Sequence, residues 1–164
     1  MDPIQIRKRC PSSRFQAIAV LPDYRLDFTL RSTQRRCGVA NVLPSQFDSV
    51  IGALYRINST RDWEVLDTAE GFSQRRKRGN RYTRSVTMVK IIKPTGREVS
   101  AFIYIGLLEK SPPPPSKAYL SQMINGATYW NFPLNYIESL IKIKHLSLIH
   151  ISEPTRRTPI SYAV

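Results

Sequence analysis

Residues 15–57 offer four strand-like segments and no helical period between them, so any fold for this chain must first build a sheet. The segments are 15–21, 24–30, 38–43 and 49–57. The second sets Tyr24, Leu26, Phe28 and Leu30 against Arg25, Asp27 and Thr29, the alternation of a half-buried strand. Pro22-Asp23 reads as the turn before it. The period changes at 58–59, where Ser59 or Asn58 can cap a helix carrying Trp63, Leu66 and Asp67/Glu70 at three- and four-residue steps. Gly71 stops that helix. Residues 82–92 alternate again, Pro94-Thr95-Gly96 is a turn, and 98–107 supply the partner strand of a hairpin. Strands that come first, with few helices between them, predict an α+β fold rather than a doubly wound sheet.

Helices close the two ends. Residues 2–9 form a short one, with Pro3 in its first turn. After the stiff spacer at 112–115, Ser116 caps a helix bearing Leu120, Met123, Ile124 and Ala127. Asn131-Phe132-Pro133 breaks it, and Tyr136, Ile137, Leu140 and Ile141 form a second apolar stripe. With 164 residues, 41% of them apolar, the chain suits one domain with its own core. No apolar run approaches the ~20 residues of a membrane span. The charged start, Met1-Asp2-Pro3-Ile4-Gln5-Ile6-Arg7-Lys8-Arg9, lacks the apolar region of a signal peptide, so the expected compartment is cytoplasmic. The two cysteines, Cys10 and Cys37, form no CxxC or Cys/His cluster and read as free thiols, not zinc ligands. Net charge is +13, densest at Arg75-Arg76-Lys77-Arg78 with Arg81 and Arg84 following. That run fits a nucleic-acid patch or a solvated loop; only Tyr82 is interleaved with it, and no nucleic-acid motif accompanies it, which favours the loop.

Several short motifs then occur in a telling order. Arg9-Cys10-Pro11-Ser12-Ser13-Arg14-Phe15 is followed by Leu21-Pro22-Asp23-Tyr24-Arg25-Leu26-Asp27-Phe28, Gly38-Val39-Ala40-Asn41-Val42 and Val50-Ile51-Gly52-Ala53-Leu54-Tyr55. Leu66-Asp67-Thr68-Ala69-Glu70-Gly71 comes next, then Pro115-Ser116-Lys117-Ala118-Tyr119, Asn125-Gly126-Ala127 and Phe132-Pro133-Leu134-Asn135-Tyr136-Ile137. In this order and spacing, residues 1–144 resemble the γ-glutamylcyclotransferase-like family. The resemblance implies a small, mixed-topology, barrel-like sheet with short flanking helices. It implies an enzyme that cyclises a γ-glutamyl group to 5-oxoproline and expels an amine, with a small-molecule γ-glutamyl substrate and no metal or organic cofactor. A family member that binds such ligands without turnover, and a basic nucleic-acid-binding module, are the alternatives.

The resemblance places the acid–base carboxylate on Glu70. Read locally, Glu70 is a carboxylate at a helix C-terminus, where the macrodipole disfavours negative charge, and Val65, Leu66 and Phe72 reduce its hydration. Both effects raise a carboxyl pKa, as a proton shuttle needs. Asp67, one turn earlier, reads as a capping or orienting residue. Tyr82 and Tyr119 match family tyrosines near the substrate; read locally they serve equally as core aromatics. Tyr104 also matches a family tyrosine and reads as structural. In the family a Tyr-Gly-Ser-Asn loop stands directly before the position of Met1 and cradles the substrate with backbone N–H groups. The expectation is therefore a domain over 1–144 that lacks its first strand and loop, with little activity of its own. Residues 145–164 are expected to be a non-native, disordered tail, because 146–164 continue no amphipathic pattern and resemble translated sequencing adapter.

Overall fold

A computed structural model describes residues 3–76, 78–92 and 96–146. It contains α1 (Pro3–Arg9), β1 (Arg14–Ser32), β2 (Cys37–Arg56), α2 (Thr60–Ala69), β3 (Tyr82–Ile91), β4 (Glu98–Gly106), α3 (Lys117–Tyr129) and α4 (Leu134–Ile141). The α+β expectation holds, and the four strands form one antiparallel sheet in the order β2-β1-β3-β4.

The first four strand segments are corrected to two. β1 and β2 are continuous strands of 19 and 20 residues that pair along almost their whole length. Pro22-Asp23 is turn chemistry, yet here it makes a bulge. Pro22 pairs with Ser49 and Tyr24 with Pro44, so residues 45–48 of β2 stand opposite Asp23 alone. Asp23 and Phe47 take φ values of 58° and 70° to absorb the mismatch, and the Phe47 N–H donates to the Asp23 carboxylate at 3.2 Å. Pairing on either side carries the chain through a signal that would end an isolated strand.

The hairpin over β3 and β4 forms in continuous register from Tyr82↔Gly106 to Lys90↔Glu98. Of its expected turn, Pro94 and Thr95 lie outside the described residues, as does Lys77 of the basic run. β1 joins the hairpin only through Ala19↔Ile91 and Val20↔Lys90, with one further bond from the Ile92 N–H to the Ile18 carbonyl. The sheet then curls until its outer strands meet. Asn41 of β2, 4% exposed, donates to the Gly106 carbonyl at 3.0 Å and accepts from the Gly106 N–H at 2.9 Å. One side chain thus supplies the hydrogen bonds that a neighbouring strand would give β4.

Two apolar clusters fill the structure. Ala19, Leu21 and Val89 pack with Val42, Leu54, Val99, Ala101 and Ile103 on one side of the sheet. Leu120, Met123, Ala127, Phe132 and Leu140 bring α3 and α4 onto Ile51. Each fully buried Leu, Met or Phe among them contributes about 1.5–3 kcal/mol. The proline spacer is part of the packing: the Gly38 N–H donates to the Pro114 carbonyl at 3.0 Å, and a Cβ on Gly38 would lie 2.1 Å from the Pro113 oxygen. Beyond α4 the Leu146 N–H still donates to the Pro115 carbonyl; residues 147–164 of the expected tail lie outside the described residues. No helix among the described residues is long and apolar enough to cross a membrane.

Candidate active site

The helix that carries Glu70 is fixed at both ends. Ser59 caps α2 as expected, its hydroxyl accepting from the Asp62 N–H. The buried Asp62 carboxylate reaches out of the helix to the Ser12 N–H at 2.7 Å, tying α2 to the segment after α1. At the other end the Phe72 N–H donates to the Asp67 carbonyl and the Gly71 N–H to the Thr68 carbonyl, at 2.8 and 3.0 Å. This double reversal needs a left-handed residue, which Gly71 supplies at φ 64°. Glu70 is the C-cap, where the helix carbonyls converge.

The Glu70 side chain is 27% exposed. Burial pushes its pKa up, and the Arg9 guanidinium, 3.6 Å away, pulls the other way. Tyr82 opens β3, and its phenol is pushed up to about 12 by burial first and then by the charge of Glu70. Tyr119 lies in the first turn of α3. Its oxygen accepts the Ala40 N–H at 3.2 Å and the Arg35 guanidinium sits 4.8 Å from its ring centre. Burial raises the Tyr119 pKa above all, and the Glu70 charge adds to it. The Arg81 N–H donates to the Gly71 carbonyl at 3.2 Å, so the end of α2 meets the start of β3, and the charge of Glu70 reaches both phenols.

Glu70 also lines a cavity of about 630 Å³ between the free flanks of β2 and β4, together with Arg9, Tyr55, Trp63, Leu66 and Tyr104. Neither Tyr82 nor Tyr119 lines it.

The sequence reading missed how Asp67 is used. Arg84 of β3 donates to both Asp67 oxygens at 2.9 Å, and the Tyr104 hydroxyl of β4 donates to one of them at 2.5 Å. Arg84 and Asp67 are 13% and 16% exposed. The Arg84 guanidinium lies 5.3 Å from each of the Trp63, Phe72 and Phe102 ring centres. Grouping Arg84 and Arg81 with the basic run needs correction, because Arg84 turns inward to Asp67 and Arg81 pairs with Glu109 at 2.9 Å. Arg75, Arg76 and Arg78 are exposed, on a loop that the Asn80 side chain holds through Ser73 and Arg76. Strand alternation gave no signal for the inward Arg84, because it shares a face with Val86 and Met88, which are exposed, while Val89 and Ile91 on the other face are buried.

Residues 49–140, which span α2, the hairpin and α3, match the AIG2-like family. The chain belongs to the AIG2-like family. Human gamma-glutamylcyclotransferase is 29% identical over 144 residues, covering 85% of this chain and 72% of the human protein. Mouse gamma-glutamylcyclotransferase is 28% identical with the same coverage. The solved structure of a gamma-glutamyl cyclotransferase superposes with a TM-score of 0.78 at 27% identity, covering 89% of this chain and 83% of that one. This AIG2-like chain is thus a γ-glutamylcyclotransferase-like member, as the ordered motifs implied. Glu70, Tyr82 and Tyr119 all lie inside the family match.

Proposed function

We propose that the domain is a γ-glutamyl cyclotransferase that releases 5-oxoproline, with Glu70 as its acid–base residue. The carrying observation is a carboxyl, 27% exposed, held at the C-cap of α2 on the wall of the 630 Å³ cavity, where burial raises its pKa. Cyclisation begins with a substrate α-ammonium, which must lose a proton before its nitrogen attacks the γ-carbonyl carbon. As the bond from that carbon to the leaving amine breaks, the leaving nitrogen must gain a proton. One carboxyl can take the first proton and deliver it to the second site, and it does so best when its pKa lies above the ordinary carboxylate range. The Tyr82 phenol, pushed up to about 12, stays protonated at neutral pH and can donate to the substrate or to Glu70.

The test is 5-oxoproline release from γ-glutamyl peptides and γ-glutamyl amines. It is run on the 164-residue chain and on one carrying Tyr-Gly-Ser-Asn directly before Met1. Release that disappears in Glu70→Gln supports the reading. Release that persists in Glu70→Gln, or none from either chain, overturns it.

A further inference from the structure

Glu70 is flanked by two residues that touch the same guanidinium. Asp67, three residues before it, takes both bonds from Arg84, and the Phe72 ring, two residues after it, lies against Arg84 at 5.3 Å. Those two residues are also joined through the backbone by the Phe72 N–H and the Asp67 carbonyl. Residues three apart on a helix share a face, so holding Asp67 leaves the next turn little freedom to rotate. Arg84 belongs to β3, two residues beyond Tyr82 on the same strand face, and is paired in register with Tyr104. Holding Arg84 therefore also fixes the strand of Tyr82 against the helix of Glu70.

We propose that Arg84 is a positioning residue that acts through Asp67 and Phe72, with Tyr104 as its second support, to set where the Glu70 carboxyl points. Its part in turnover rests on the catalytic reading of Glu70; its control of the carboxyl's surroundings does not. A buried, hydrogen-bonded ion pair adds little net stability over apolar packing of similar size, while it fixes geometry closely. Both bonds leave one guanidinium nitrogen, Nη1, which centres the Asp67 carboxylate on it, while the flat guanidinium packs among rings in a way that a lysine ammonium would not. The three rings keep water from competing for it.

The variant to compare is Asp67→Asn/Arg84→Met, which removes the pair without changing net charge and leaves an unbranched stem among the rings. Carboxyl NMR titration of the folded chain follows Glu70, its signal identified by its loss in Glu70→Gln. With the clamp gone the carboxyl gains water, and its midpoint moves down towards the ordinary glutamate value. Turnover by the chain carrying Tyr-Gly-Ser-Asn falls about tenfold in kcat, with KM changed less than about twofold. A role in stability alone would lower the unfolding midpoint and leave the titration where it was, which overturns the proposal. If the double variant does not fold, Tyr104→Phe removes one bond to Asp67 and must move the Glu70 midpoint in the same direction. Turnover retained in Glu70→Gln overturns the catalytic reading and leaves the titration to judge the clamp. Turnover lost in Glu70→Gln with an unmoved titration overturns the clamp alone.

Discussion

Arg9 Nη1 of α1 lies 3.6 Å from Glu70 Oε1 at the end of α2. Two elements distant in the sequence thus set opposing influences on one carboxyl: burial disfavours its charge, and Arg9 favours it. Replacing Arg9 with Gln removes the favourable charge and leaves the burial. The Glu70 titration then moves further above the ordinary glutamate value, and the acid limb of the pH–rate profile moves up with it. The pair is more than one-third exposed on the Arg9 side, so stability changes by less than about 1 kcal/mol. Carboxyl NMR and the pH–rate profile check this; an unmoved Glu70 midpoint would show that Arg9 does not tune it.

The raised carboxyl also ties folding to pH. The folded chain holds the Glu70 proton more tightly than the unfolded chain does. Its stabilising contribution is complete below the unfolded value of 4.5 and is lost as pH rises through the higher folded value. Glutamine stays neutral throughout. Glu70→Gln is therefore expected to be more stable than the parent at neutral pH, with the difference shrinking as pH falls through the raised folded value and levelling off below 4.5. Urea unfolding at a series of pH values measures it, and a stability difference that does not vary with pH contradicts the raised pKa.

Tyr119 makes a separable prediction, because its oxygen serves the fold as well as the site. The Ala40 N–H donates to it at 3.2 Å. Tyr119→Phe leaves that partly buried donor without its acceptor and costs about 1–2 kcal/mol. On the proposed substrate-binding part of Tyr119, KM also rises more than kcat falls. Chemical unfolding together with steady-state kinetics separates the two effects; unchanged stability would mean that Ala40 finds water instead.

Which parts of this were legible in the sequence follows from how local each cause is. Ser59, Gly71 and Ser116 act on their own helices, and their capping roles could be read directly. The β3–β4 hairpin was legible because Val86 and Met88 alternate with Val89 and Ile91. The long β1–β2 pairing was not, because Pro22-Asp23 is turn chemistry and only the partner strand carries the chain through it. The place of Glu70 at a helix end was legible from Gly71 beside it. Arg84 was hidden because its partner Asp67 stands 17 residues earlier and its neighbours Arg75, Arg76 and Arg78 are solvated. Asn41 was quoted only as part of a strand, although a polar residue among Val39, Ala40 and Val42 signals a buried partner.

That partner makes Asn41 the strongest expected point of failure in the barrel. Its amide donates to Thr29 Oγ1 at 2.8 Å and exchanges two bonds with Gly106. Asn41→Leu strips Gly106 of both, leaving a buried N–H and a buried carbonyl unpaired at the seam between β2 and β4. Each costs about 1–3 kcal/mol, so a loss of about 3 kcal/mol is expected. Amide exchange should accelerate first at Gly106. Slow exchange there, with stability within about 0.5 kcal/mol of the parent, would show that the seam closes without the bridge.

Gly106 tests the same seam from the other side. A Cβ built on it would lie 2.1 Å from Leu30 Cδ1 and 3.0 Å from Cγ, and Leu30 is only 1% exposed, with little room to turn away. Gly106→Ala therefore overpacks the core and costs about 1–3 kcal/mol. Leu30→Ala alone opens a cavity and costs about 2–5 kcal/mol. In the double variant the added methyl occupies part of the space that leucine leaves. Its loss is expected to fall well short of the sum of the singles, by about 1 kcal/mol or more. Urea unfolding of the four proteins gives the coupling directly, and additive losses would show that the methyl at Gly106 does not meet Leu30.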